Sequence, residues 1–184
     1  VYKRQGVNMD IEHVLSQKLN IATIKKLAQW SMESCETKKV LWEYTHSKDR
    51  RISSNALWVM THLPHSECEW LLTLQNEMID KLLCESDTCK KRLLLQLLRN
   101  QEYHIDHLRT DLLDYCLSKI NSESEPYAIR CFSIYIAFKI CRYYPELITE
   151  LEGHLDMMSL QSLSPGLKSA LRQTKEKIAK LNQF

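Results

Sequence analysis

Apolar residues return along the chain with a helical period, and the pattern is broken at even intervals. In RISSNALWVMTHLP, residues 51–64, an Ala-Leu-Trp-Val-Met block stops at Pro64, where a ring replaces the amide donor that a helix would need. A helix start is marked by an acidic or hydroxyl residue before such a run, because its side chain accepts from the free amides of the first turn. Three starts of this kind fall at Asp49, Asp87 and Glu125, 38 residues apart each time. The spacing predicts a repeated unit of two helices, A and B, with Pro64 in the turn of the first.

The first unit reads as helix A over 50–63 and helix B over 66–85, with Leu71, Leu74, Met78, Ile79 and Leu82 on one face. The second reads as helix A over 88–101, a turn at Glu102–Tyr103, and helix B over 104–120 with Leu108, Leu112, Leu113, Cys116 and Ile120 inward. In the third, helix A spans 126–144, with Pro126 at its first helical position and Pro145 in the AB turn. This helix is apolar nearly all round, through Ile129, Phe132, Ile134, Tyr135, Ile136 and Phe138, as expected of one held between neighbours at the centre of the core. Residues 9–48 make shorter helices, and SPGLKSALRQTKEKIAKL closes the chain with Leu167, Leu171, Ile178 and Leu181 on one side. The expected fold is all-α: a right-handed α-α superhelix of the HEAT or armadillo kind, whose repeat is roughly 40 residues. Its repeats lie near 49–86, 87–124 and 125–160, with caps at 9–48 and 164–182, in one domain over 9–184 behind a leader at 1–8.

Composition agrees with an all-helical reading: of 184 residues only three are glycine and four proline, while 44% are hydrophobic. No apolar run approaches the roughly 18 residues that span a bilayer, and the N-terminus lacks a signal-peptide core. A soluble, cytoplasmic protein without membrane contact is expected. The seven cysteines are odd in number and sit mostly inside apolar helical patterns, so free buried thiols are expected rather than disulfides.

Signatures of catalysis are sparse. Gly6, Gly153 and Gly166 are scattered singly, so neither a phosphate loop nor a Gly-x-Ser-x-Gly elbow exists. His62 with His65, and His104 with His107, have the three-residue spacing of two zinc ligands, but Pro64 separates the first pair and the second has only Asp111 near it in sequence. Cys84 and Cys89 are too far apart for the usual two-residue metal or redox spacing. Asp111 and Asp114 suit acid-base work only if something removes them from water. No enzyme, cofactor or metal is expected.

The helix RISSNALWVM before a prolyl turn, EPYAIRCFSIYIAFKI before YPELITEL, and the basic last helix together resemble small single-domain HEAT-like repeat proteins of Bacteroidetes that have no assigned activity. The resemblance covers about residues 9–182 and brings no catalytic residue with it. A more distant similarity is to HEAT-like DNA alkylation-repair proteins, although no position here matches their catalytic aspartate motif.

Charge adds the most informative feature. The three A helices carry Arg50, Arg51, Lys90, Lys91, Arg92, Arg99, Arg130, Lys139 and Arg142 and no acid; the three B helices carry twelve acids against Lys81, Arg109 and Lys119. In HEAT-like proteins the B helices line the concave surface, so the resemblance implies an acidic groove and a basic back. An acidic groove repels phosphates and suits a basic peptide or protein segment. The expected contacts are polar positions opposite the apolar stripe: Glu69, Thr73, Asn76, His107, Asp111, Asp114 and Glu150. The alternative is a nucleic-acid-binding superhelix that uses Arg51, Lys91, Arg92 and Arg130, with Trp58 or Trp70 as stacking groups. A monomer or weak dimer fits either reading.

Overall fold

Residues 10–182 are described by a computed structural model, and all their regular elements are helical. The expected leader at 1–8 lies outside the described residues. In chain order the helices are α1 (Ile11–Leu15), α2 (Ile21–Ser31), α3 (Cys35–Tyr44), α4 (Arg50–Met60), α5 (Cys68–Thr73) and α6 (Gln75–Cys84). They continue as α7 (Thr88–Arg99), α8 (Thr110–Ile120), α9 (Tyr127–Cys141), α10 (Pro145–Ser159) and α11 (Pro165–Leu181). Single turns of 3-10 helix occur at His65–Glu67 and Ile105–His107.

Two of the three expected starts are made as the cap chemistry requires. Asp49 accepts from the amides of Arg51 at 2.7 Å and Ile52 at 3.1 Å, and Asp87 accepts from the Lys90 amide at 3.0 Å. Asp87 also pairs with Arg50, which helps hold its carboxyl below the usual range against the opposing effect of burial. Glu125 does not cap. Its carboxylate takes Lys119 at 2.8 Å instead, and the residue preceding α9 is Pro126.

Both early B helices depart from the expected spans. The first is broken at Leu74, whose amide bonds back three residues to Leu71 at 3.1 Å. The carbonyl a continuous helix would offer it, that of Trp70, is taken by the Thr73 hydroxyl at 2.6 Å. The second begins at Thr110 rather than His104, so the segment 104–109 is a 3-10 turn followed by extended backbone. Pro145 starts α10 as its first residue, where its missing amide costs nothing, instead of lying in the turn.

The helices group into two compact units, one holding residues up to Glu69 and Asp87–Leu93, the other Trp70–Ser86 and the chain from Leu94 on. In the first, α4 packs on α1, α2 and α3 and buries Ala56, Leu57, Val59 and Met60 with Leu15, Ile24, Leu27 and Leu41. In the second, α9 is the central helix, packed against α8, α10 and α11, and it buries Ile129, Ile134, Ile136, Ala137 and Ile140. This is the helix expected at the centre of the core. Gln101 and Tyr103, in the turn after α7, are buried as well, at 5% and 3% exposure.

All seven cysteines are free thiols, but only Cys116 and Cys141 are buried. Cys35, Cys68, Cys84 and Cys89 lie in the first or last turn of a helix, where side chains meet solvent, which corrects the expectation of buried thiols. Burial pushes Cys116 and Cys141 up to about 12, so neither is a thiolate at neutral pH.

The core and the caps differ in what they contribute. Ile134→Ala is expected to destabilise by about 2–5 kcal/mol through a cavity in the α9 core. Asp49→Ala is expected to cost about 1 kcal/mol from one lost cap. Urea denaturation of both variants checks the order; a cap variant costing as much as the cavity would contradict it.

Candidate binding surface

The outer sides of α6, α8 and α10 each carry acids of the second unit. Helix α8 buries Leu112, Leu113, Cys116, Leu117 and Ile120, so Asp111, Asp114 and Ser118 are left exposed on its other side. Helix α10 buries Ile148, Leu151, Leu155 and Met158 and exposes Glu146, Thr149, Glu150 and Asp156. Helix α6 exposes Asn76 and Asp80, one turn apart. Because α8 packs against both α6 and α10, the three exposed stripes belong to adjacent helices.

Arg109, just before α8, ties two of them together. Its Nη2 donates to Asp80 of α6 at 2.7 Å and to Asp111 of α8 at 2.7 Å, its Nε donates to Asp111 at 2.9 Å, and its Nη1 reaches Asn76 at 3.5 Å. The planar fork permits this chelation, which an ammonium does not reproduce. Arg109, together with the Leu112 amide, holds Asp111 below the usual carboxylate range, against partial burial. Arg109 itself is raised by its hydrogen bonds to Asp111 and Asp80. Farther along, Lys175 of α11 takes Asp156 at 2.7 Å. Asp114, Glu146 and Glu150 have no ion-pair partner among the described residues.

Each expected contact residue is exposed, but they do not all meet. Thr73 spends its hydroxyl on the Trp70 carbonyl, and His107 ends the 3-10 turn before Arg109. Asn76 and Asp111 are brought together through Arg109, whereas Asp114 and Glu150 stand on neighbouring helices. Glu69, in the first turn of α5, belongs to the other unit. Charge summed by helix does not mark Arg109 as a site residue, because its partners lie 29 and 2 positions away. A lone arginine inside an acidic stretch was the available signal.

The cations named for nucleic acid fare differently. Arg51 is exposed and reaches the Ser16 carbonyl at 3.4 Å, and Lys91 and Arg92 are half-buried. Arg130 is a correction: it is 2% exposed, its Nε donates to the Ile120 carbonyl at 2.9 Å and its Nη2 to Gln161 Oε1 at 2.6 Å. A guanidinium buried against the end of α8 and Gln161 is not presented to a phosphate in solution. Trp58 and Trp70 are half-buried, and Trp58 meets the His62 ring edge-on at 6.2 Å. Among the described residues no group of three or more His, Cys, Asp and Glu side chains is placed to hold a metal ion, and no helix is long and apolar enough to cross a membrane.

An all-helical chain built from A and B helices, with a polar stripe along the outer side of its B helices, defines a repeat protein. The chain belongs to the HEAT repeat family: the family model described as a HEAT repeat domain matches residues 11–178. No curated protein and no solved structure matches it.

Replacing Arg109 with Gln removes the interaction that lowers Asp111, so its carboxyl is expected to titrate nearer the ordinary value of about 4. Because the folded pKa is lowered, its stabilising effect is present above that value and is lost as pH falls below it. The variant's acid stability profile should therefore be flatter in that range. Carboxyl carbon shifts followed by NMR titration check this, and an unmoved Asp111 would contradict the linkage.

Proposed function

We propose that this HEAT repeat protein is a non-catalytic binding module whose acidic B-helix surface docks a basic segment of another protein. Recognition is by charge and shape complementarity, with no cofactor and no reaction, in a cytoplasmic monomer or weak dimer. The observation that carries the reading is the set of exposed, unpaired carboxylates Asp114, Glu146 and Glu150 on the packed pair α8 and α10. Asp80 and Asp111 extend the acidic stripe, with Arg109 keeping Asp111 ionised and fixed in place. A repeat scaffold supplies a rigid surface, so little ordering entropy opposes docking on its side of the interface. Exposed charge pairs contribute little each and are screened by salt, so affinity should come from several acting together.

Affinity purification from native extract at low and high salt, with and without nuclease, gives the first test. A protein partner that survives nuclease and leaves at high salt is expected. The double reversal Asp114→Lys with Glu150→Lys should weaken a labelled lysine-rich peptide about tenfold or more, as two exposed charges change sign. Peptide binding that ignores the reversal, or the loss of every partner on nuclease treatment, would sink the acidic-surface reading.

A further inference from the structure

The side of α9 that meets Arg99 of α7 and Lys177 of α11 carries a different chemistry. Its half-exposed stripe includes Phe132, Tyr135 and Phe138, three residues apart and therefore stacked along one side of the helix. Arg99, at the end of α7, lies over two of these rings, 5.5 Å from the Phe132 centroid and 4.3 Å from that of Tyr135. From α11, Lys177 stands 6.0 Å from the Tyr135 centroid and 5.8 Å from Phe138. Lys180, one turn farther along α11, is exposed. Neither Arg99 nor Lys177 has a carboxylate partner among the described residues. The ring faces hold both cations in place, which removes much of the ordering cost that a long side chain meets when it binds an anion.

We propose that this aromatic and cationic strip binds single-stranded nucleic acid. Phosphates meet Arg99, Lys177 and Lys180, and unpaired bases stack on the Arg99 guanidinium and on the ring surface that Phe132, Tyr135 and Phe138 leave open. A repeated row of rings beside cations is what a sequence-tolerant single-strand site needs, because every base has a π-face and every nucleotide a phosphate. An acidic peptide would satisfy the cations but gain nothing from the three rings. The strip shares no residue with the acidic surface of α6, α8 and α10, nor with Arg51, Lys91, Arg92 and Arg130.

Fluorescence anisotropy of a labelled oligo-dT of about 12 nucleotides tests it on the full chain. Wild type should bind at low salt, with an affinity that falls as salt rises. The pair Arg99→Gln, half-buried, with Lys177→Gln, exposed, should weaken binding about tenfold and make the salt slope shallower by about one to two. Tyr135→Leu, which keeps the apolar cover but removes the π-face, should weaken it about fivefold or more. The pair Asp114→Lys with Glu150→Lys should leave the oligonucleotide bound, and the Arg99/Lys177 pair should leave the lysine-rich peptide bound, so the two surfaces fail separately. Circular dichroism confirms folding of each variant; should Tyr135→Leu unfold, the Arg99/Lys177 pair still decides. Absence of binding at low salt, or an Arg99/Lys177 variant that binds like wild type, would overturn the proposal. So would displacement of the oligonucleotide by poly-glutamate as readily as by unlabelled oligo-dT, since that result would make the strip a site for acidic peptide.

Discussion

A helix ends with carbonyls that lack partners, and how this chain satisfies them governs much of the rest. Glycine in the left-handed conformation is the common solution, yet Gly153 lies inside α10 and Gly166 in the first turn of α11, so neither closes a helix. Side chains arriving about one repeat later do the work instead. The Asn55 amide donates to the Leu15 and Gln17 carbonyls after α1, at 2.7 and 3.0 Å. Lys139 donates to those of Arg99 and Gln101 after α7, both at 2.8 Å, and the Tyr143 hydroxyl to that of Tyr103 at 2.8 Å. These bonds join residues 38 or 40 positions apart, close to the spacing between helix starts. The repeat length is thus also the reach from one helix end to its cap.

That use of side chains explains the fate of the A-helix charges. Lys139 and Arg130 carry positive charge to the carbonyl ends of α7 and α8, where the helix dipole favours it. Burial lowers the Lys139 ammonium while Glu102 works in the opposite direction. Arg99 goes to aromatic rings rather than to an acid. Since these cations are spent on carbonyls and rings, the acids of α8 and α10 are not neutralised by them. The same economy that closes the helices therefore leaves one outer surface negative and sets a cation against the rings of another.

Much of this was open to a reader of the sequence wherever the cause was local. Asp49 and Asp87 cap because a side chain three residues or fewer from the amides needs no tertiary help, and the burial of α9 follows from a helix with hardly a polar side. The exposure of Asp111, Asp114 and Glu150 follows from helical period alone. Glu125 misled because it had the right type and spacing but a lysine within reach. The break at Leu74 was hidden because a threonine inside an apolar run does not announce which carbonyl its hydroxyl will take.

By itself, then, the sequence determined the helical class, the period, the central helix and the sign of each helix's charge, since these depend on neighbours within a turn or on composition along one helix. Only the tertiary structure decided which charges remain available. Arg130 disappears into the end of α8, Arg109 closes on Asp80 and Asp111, and Arg99 settles on the rings of α9. Each of these long side chains has several partners within reach, and the packing of helices distant in sequence selects the one that is left in range.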